Sequence, residues 1–276
     1  MKAMKKLLSP LLAIASALGL ASCFQSETVI HLNKDGSGTI VEETTFGAQA
    51  QAMMSQMSAM GGEEGADKKD PLDGMFSEEK AKTKAASLGE GVTFEKSEKI
   101  DAGGKKGART TFKFADINKL KFKPGDTMND MKQGPDMGEQ PDKPKEEPVT
   151  FTYSGGKLVV HMPQPKAGDK PKKPEMPENA EMEAQQEAMM KQMFADMKVA
   201  VRIKADGGIA SSDATHTDGD TVTLMEMDFG KVMKTPGAFK KMAATQPETP
   251  EEIEAALKGI DGIKMETKRE VTISLK

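Results

Sequence analysis

Residues 28–46 read TVIHLNKDGSGTIVEETTF. Valine, isoleucine and threonine, which favour β-strands, lie on both sides of Asp35-Gly36-Ser37-Gly38, a combination typical of a tight turn. Two such segments joined by a short glycine-containing turn predict a β-hairpin. This hairpin indicates a sheet, and the segments that follow it must either extend the sheet or cover it.

Later segments repeat the strand pattern. Residues 150–162 contain FTYS and KLVV on either side of Gly155-Gly156 and predict a second hairpin. Further strands are predicted at residues 91–94, 199–203 and 263–275, where β-branched residues are frequent. The chain is therefore expected to be rich in antiparallel sheet.

Helix signals lie between the predicted strands. Ser77 is a suitable N-cap for a helix over residues 78–88, and Thr249 with Pro250 opens another that ends at Gly259. Methionine-rich segments around residues 52–57 and 188–193 follow the two hairpins and predict further helices. This order predicts an α+β fold in which helices cover an antiparallel sheet.

A repeated spacing indicates an internal duplication. Thr111, Asp116 and Lys119 have the same spacing as Thr223, Asp228 and Lys231. We interpret this as a hairpin, helix, hairpin unit that occurs twice in a single mature domain, with halves at residues 28–122 and 149–276. Residues 123–148, which join the halves, and residues 61–74 and 163–177 are rich in Gly, Pro and charge and are predicted to be disordered.

The first 22 residues predict an export signal. Lys2, Lys5 and Lys6 precede an apolar run at residues 7–20, which spans only about 21 Å as a helix and is short for a bilayer core of about 30 Å. Leu20-Ala21-Ser22-Cys23 then matches the lipobox of bacterial membrane lipoproteins, and Cys23 is the chain's one cysteine. The resemblance implies cleavage between Ser22 and Cys23 and attachment of lipid to Cys23. An ordinary cleaved signal before a free thiol is the alternative.

The residues after Cys23 indicate to which membrane, and how closely, the domain is attached. Phe24 and Gln25 supply no aspartate that would signal retention in the inner membrane, which favours the outer membrane. Only residues 24–27 separate Cys23 from the first predicted strand, a distance of at most about 14 Å. The folded domain is therefore expected to lie close to the bilayer.

Composition excludes several classes of function. The chain carries 39 Lys and Arg against 43 Asp and Glu, and the signal removes three of the lysines, so a nucleic-acid surface is not expected. The nucleophile-elbow, zinc-protease, phosphate-loop and dinucleotide patterns are all missing from the sequence. His31, His161 and His216 are far apart along the chain and are expected at the surface. We expect no enzyme, no cofactor and no metal site built on histidine or cysteine.

Methionine is the compositional outlier, with 22 residues. The candidate partner-binding residues lie on the two predicted methionine helices: Met53, Met57, Met189, Met190, Met193 and Met197. Three interpretations are open: an amphipathic face packed on the sheet, an adaptable groove for a lipid or protein partner, or a Cu(I) site made of thioethers. The methionine clusters contain no histidine or cysteine that would complete a defined copper site.

Two passages resemble the LppM-type domain of bacterial envelope lipoproteins. They are residues 29–38 and a set of strand and turn segments at residues 201–203, 208–212 and 218–222. The resemblance implies an α+β domain associated with envelope lipids, and it carries over no catalytic residue. We therefore expect a non-enzymatic, lipid-anchored envelope lipoprotein that binds a lipid or a protein partner at the membrane surface. A Cu(I)-binding protein and an enzyme of unknown chemistry are the alternatives.

Overall fold

The chain folds into two β-sheets and a few helices. A computed structural model describes residues 24–60, 71–124, 147–163, 194, 197–238, 241 and 249–276. The first sheet has eight strands in the order β10-β11-β8-β1-β2-β4-β3, with β12 paired to β11, and the second has the order β5-β6-β7-β13-β9. The predicted α+β class is confirmed. The sheets are antiparallel except where β1 pairs with β8 in parallel.

The described elements have the following bounds. The strands are β1 (Phe24–Leu32), β2 (Gly38–Phe46), β3 (Thr93–Ala102), β4 (Lys105–Phe114), β5 (Lys121–Phe122), β6 (Val149–Ser154), β7 (Lys157–His161), β8 (Lys198–Ala205), β9 (Ile209–Ser212), β10 (Thr217–Asp218), β11 (Thr221–Asp228), β12 (Ile263–Met265) and β13 (Glu270–Leu275). The helices are α1 (Ala48–Met60), α2 (Pro71–Met75), α3 (Glu78–Ser87), α4 (Phe229–Val232) and α5 (Pro250–Leu257), with a 3₁₀ turn at Ile117–Lys119.

Both predicted hairpins are present, as β1–β2 and β6–β7. In the first turn the Asn33 amide donates to the Ser37 carbonyl at 2.9 Å. The Asp35 carboxylate accepts hydrogen bonds from the Ser37 hydroxyl at 2.6 Å and from the Ser37 amide at 2.9 Å. These two bonds favour the ionised form, so they lower the pKa of the Asp35 carboxyl.

Strand β1 begins earlier than predicted. It starts at Phe24 rather than at residue 28, and residues 24–27 pair with residues 43–46 of β2. This part of the strand was not predicted, because Ser26 and Glu27 are polar. In the structure Ser26 and Thr28 are buried on the same side as Ile30, because alternate residues of a strand share one face.

The two sheets share one hydrophobic core. Cross-strand neighbours line the inner face of the first sheet, where Ile30 lies opposite Ile40 and Ile40 lies opposite Phe112. They pack with side chains from the inner face of the second sheet and with Ala85 and Leu88 at the end of α3. The residues contributed by the second sheet are Phe122, Val149, Phe151, Leu158, Val160, Val271 and Ile273. Burial of these side chains is the main driving force for folding.

The strand pairing does not repeat as the duplication predicts. In the first half, hairpin β1–β2 pairs with hairpin β3–β4 through β2 and β4. In the second half, hairpin β6–β7 pairs with β5 and β13 in the second sheet, whereas β8 and β11 belong to the first sheet. Each sheet contains strands from both predicted halves. The shared spacing has a local meaning, since Asp116 and Asp228 both cap a short helical turn that follows a strand.

The helix predictions are confirmed for α3, capped by Ser77, and for α5, capped by Thr249. Helix α1 contains the first methionine-rich segment. Helix α2 is a correction, because it lies partly inside residues 61–74, which were predicted to be disordered. Most of the second methionine-rich segment and of the proline-rich segments at 123–148 and 163–177 lies outside the described residues.

Gly38 provides a test of this packing. A Cβ added there would lie 1.9 Å from the His31 carbonyl oxygen, whereas one added at Gly74 in α2 would have no atom within 4 Å. We expect Gly38→Ala to lower the free energy of unfolding by about 2 kcal/mol through overpacking, and Gly74→Ala to leave it unchanged or slightly raised. Urea unfolding measures both, and equal effects of the two variants would contradict the pairing of β1 with β2.

Candidate functional site

A second apolar cluster lies at the end of the first sheet where β1 begins. We call it the Met–Phe cluster. Its buried members are Phe24, Phe46, Leu72, Met197, Val199 and Phe229, and its half-buried rim consists of Ala50, Met54, Met75, Phe76, Phe194, Met225, Met227 and Met233. Strands β1, β2, β8 and β11 meet helices α1, α2 and α4 here, so one small region collects side chains from seven elements.

Aromatic pairs hold the Met–Phe cluster together. The ring centroids of Phe24 and Phe46 are 5.2 Å apart, and those of Phe46 and Phe76 are 6.1 Å apart. On the other side of the cluster, Phe194 stacks on Phe229 at 5.7 Å. The Phe229 amide also donates to the Met197 carbonyl at 3.0 Å. Such aromatic pairs contribute about 1 kcal/mol each beyond the burial of their area.

The cluster adjoins the predicted lipid-attachment residue. Phe24 is joined to Cys23 by a peptide bond, so the two Cα atoms are about 3.8 Å apart. Ser22 and Cys23 themselves lie outside the described residues, and their cleavage and lipidation remain predictions. The earlier start of β1 shortens the expected tether from four residues to a single peptide bond.

The predicted methionines have different positions. Met197 is 5% exposed and belongs to the cluster, whereas Met53 is 52% exposed. The side chains of Met57, Met189, Met190 and Met193 lie outside the described residues. Met197 therefore packs among the buried members of the Met–Phe cluster.

The other members of the cluster were not among the predicted site residues. Two signals could have indicated them. The first is that Phe24 and Phe46 are equally far from the first turn, so they lie opposite one another in the hairpin. The second is that Met225 and Met227 are alternate residues of one strand and therefore lie on the same face.

A polar band separates the Met–Phe cluster from the main core on the inner face of the first sheet. The Ser26 and Thr44 hydroxyl oxygens are 3.2 Å apart, and Ser97 and Thr110 make the same contact at 3.2 Å. In the middle of the band Lys84 of α3 pairs with Glu42 at 2.8 Å. This ion pair also lines a small cleft with Ser87, Leu88, Lys121, Phe122 and Lys123.

The Glu42–Lys84 pair is well shielded from water. The side chains are 12% and 25% exposed, and the second carboxylate oxygen of Glu42 has no hydrogen-bond partner among the described residues. We expect Lys84→Met to lower the free energy of unfolding by about 2 kcal/mol, because Glu42 would then be left charged without its ion-pair partner. The double variant with Glu42→Gln should recover part of that loss.

A matched control lies on the same helix. Lys82 pairs with Glu78, but both side chains are mostly exposed, at 64% and 70%. We expect Lys82→Met to change the free energy of unfolding by less than about 0.5 kcal/mol. An effect of Lys84→Met no larger than that of Lys82→Met in urea unfolding would show that the Glu42 pair is solvated.

The histidines do not converge on a site. His31 lies 3.1 Å from Asp206, and His161 lies 3.1 Å from Glu270, with their side chains 28% and 37% exposed. Within the described part of the chain there is no group of three or more His, Cys, Asp or Glu side chains that could hold a metal ion.

Among the described residues, no helix is both long and apolar enough to span a membrane.

Comparisons with known proteins give one structural similarity. Neither a scan of protein-family models nor a search of characterised proteins gives a match. Among solved structures, the chain is similar to the NMR structure of the folded domain of LppM from Mycobacterium tuberculosis, with 9% sequence identity and a TM-score of 0.32. The similarity covers 76% of this chain and 85% of that one.

Proposed function

We propose that the chain is a non-enzymatic lipoprotein of the bacterial cell envelope. In this proposal residues 23–276 form the mature protein, lipid on Cys23 holds it on a membrane, and the protein binds a lipid or a protein partner at the membrane surface. The observation that carries the proposal is the start of β1 at Phe24, inside the Met–Phe cluster. Because no flexible segment separates Cys23 from the sheet, the acyl chains would hold this cluster at the bilayer.

The rim of the Met–Phe cluster is the surface that we assign to the ligand. Its half-buried methionine and phenylalanine side chains include Met54, Met75 and Phe76. Flexible thioethers adapt to irregular apolar partners, and acyl chains are such partners. The absence of an aspartate directly after Cys23 supports the outer membrane as the location.

Detergent extraction of the processed full-length protein tests this proposal. Mass spectrometry should show an N-terminal peptide that begins at Cys23 and carries a diacylglycerol. The extracted protein should also retain lipid or a partner protein, and Met75→Asp should reduce that yield several-fold. Met162→Asp is the matched control, because Met162 is half-buried beside the main core, outside the Met–Phe cluster. Unmodified Cys23, or equal loss in both variants, would contradict the proposal.

Binding of Cu(I) is a second candidate, favoured by the convergence of methionines in one cluster. Met225 and Met227 on β11 share the cluster with Met54, Met75, Met197 and Met233. Thioethers are soft ligands that suit Cu(I). Titration of Cu(I) into the protein should give saturable binding that Met225→Leu with Met227→Leu weakens. Met162→Leu, beside the main core, should leave that binding unchanged. Binding that both sets of variants leave unchanged would exclude a site in the cluster.

A further inference from the structure

Helix α1 has an unusual composition for this chain. Charged residues are 30% of the sequence, yet residues 44–62 contain none. This charge-free stretch includes the whole of α1, whose sequence is AQAQAMMSQMSAM. Helices that face water normally carry charged residues on the outer side, as α3 does with Glu78, Lys80 and Lys82.

One side of α1 is fixed to the sheet end. Ala50 and Met54 pack on the Met–Phe cluster, as expected for residues one helical turn apart. Between them, the Gln51 side-chain amide donates to the Phe46 carbonyl at 2.7 Å and to the Gly104 carbonyl at 3.2 Å. These contacts determine which side of the helix faces away from the protein.

The opposite side of α1 is exposed and uncharged. Its residues are Ala48, Gln49, Ala52, Met53, Ser55 and Gln56. Met53 is 52% exposed and is the one large hydrophobic residue with a highly exposed side chain in the described part of the chain. A face of alanine, serine, glutamine and methionine can leave water at low cost, because it contains no charge that must be desolvated.

This face lies beside the predicted lipid anchor. Helix α1 begins two residues after Phe46, and Phe46 pairs with Phe24, the residue that follows Cys23. Neighbouring strands are about 5 Å apart and consecutive Cα atoms about 3.8 Å, so the start of α1 is within about 20 Å of Cys23. Lys106 lies opposite Phe46 at the same sheet end, and next to it the Lys105 ammonium donates to the Gln25 side-chain oxygen at 3.0 Å.

We propose that the exposed face of α1, centred on Ala52 and Met53, lies in the interfacial region of the bilayer and forms a second, non-covalent membrane contact. This inference rests on the proposed lipidation of Cys23. One acyl-based anchor and one apolar helix face together restrict the tilt of the domain, which the covalent anchor alone does not do. The occupant of the face is the lipid surface, since the anchor holds this end of the domain against it.

Site-specific labelling tests the proposal. Because the thiol of Cys23 is consumed by lipid, Met53→Cys supplies a single reactive thiol in the processed protein. Ala86→Cys is the control, because Ala86 is exposed on α3, a helix with charged neighbours. Each protein is labelled with an environment-sensitive fluorophore and reconstituted in vesicles of phosphatidylcholine and phosphatidylglycerol, with and without spin-labelled lipid as a quencher.

The label at residue 53 should show a several-fold higher emission in vesicles than in detergent-free buffer, and the spin-labelled lipid should quench it. The label at residue 86 should show the same emission in vesicles and in buffer, and the spin-labelled lipid should not quench it. Equal, water-like emission from both labels would overturn the proposal, and so would an apolar environment at residue 53 that spin-labelled lipid does not quench. Flotation of the vesicles and the mass of the N-terminal peptide are measured separately, so a failure of lipidation is recognised as a failure of the proposed function as well.

Discussion

Replacing Cys23 with serine is expected to release the protein from membranes. Serine cannot form the thioether through which lipobox proteins receive diacylglycerol, so the variant would carry no acyl chains once its signal is removed. Each buried methylene contributes about 0.8 kcal/mol to membrane binding, and two or three acyl chains therefore account for nearly all of the attachment. The interfacial face of α1 alone should give only weak, reversible binding.

Membrane flotation of cell extracts measures this effect. We expect the wild-type protein to float with lipid and the processed Cys23→Ser protein to remain in the dense fractions. Ser22→Ala is the control, since it keeps a small residue before the cleavage site and leaves the thiol intact. Cys23→Ser protein that floats to the same extent as wild type would contradict lipid attachment at this residue.

The largest expected effect on stability is that of Phe112→Ala. Phe112 is fully buried on β4, opposite Ile40 on β2, and its ring centroid lies 6.4 Å from that of Phe94 on β3. Removing a fully buried phenylalanine ring costs its transfer free energy and leaves a cavity between the two sheets. We expect the free energy of unfolding to fall by about 4 kcal/mol.

Urea unfolding of the mature protein measures this loss. Phe76→Ala is the matched control, because Phe76 is half-buried on the rim of the Met–Phe cluster and should cost clearly less. Comparable losses in the two variants would mean that the rim is as tightly packed as the main core. That result would also argue against a ligand surface on the rim.

Local signals in the sequence were sufficient for much of the fold. The turn at Asp35 and Gly36 and the caps at Ser77 and Thr249 depend on residues close together in the chain, and all of them are present. The pairing of β1 with β8 joins residues 173 positions apart, such as Thr28 and Val201. Nothing in the local pattern specifies such a pairing. The strand order that results from it does not repeat between the two predicted halves.

The candidate site was predictable only in part for the same reason. Helical spacing predicted Met53 and Met57 as the site residues of α1, whereas the methionine that packs on the Met–Phe cluster is Met54. The cluster is completed by Phe24 and Phe46 from strands and by Phe229 from a four-residue helix. Its members come together through tertiary packing. The start of β1 was missed because Ser26 and Thr28 are polar residues that the fold buries, which composition alone does not indicate.

The position of β1 inside the first sheet has a mechanical consequence. Strand β1 is hydrogen-bonded along nearly its whole length to β2 on one side and to β8 on the other. A force that pulls the protein away from the membrane through Cys23 would act along the axis of β1, perpendicular to its hydrogen bonds with β2 and at an angle to its slanted bonds with β8. Both sets of hydrogen bonds would then be loaded in shear, so that many bonds bear the force together. At an edge strand pulled sideways, the bonds would instead break one after another. The domain is therefore expected to resist extraction forces that would unravel a protein tethered through a peripheral strand.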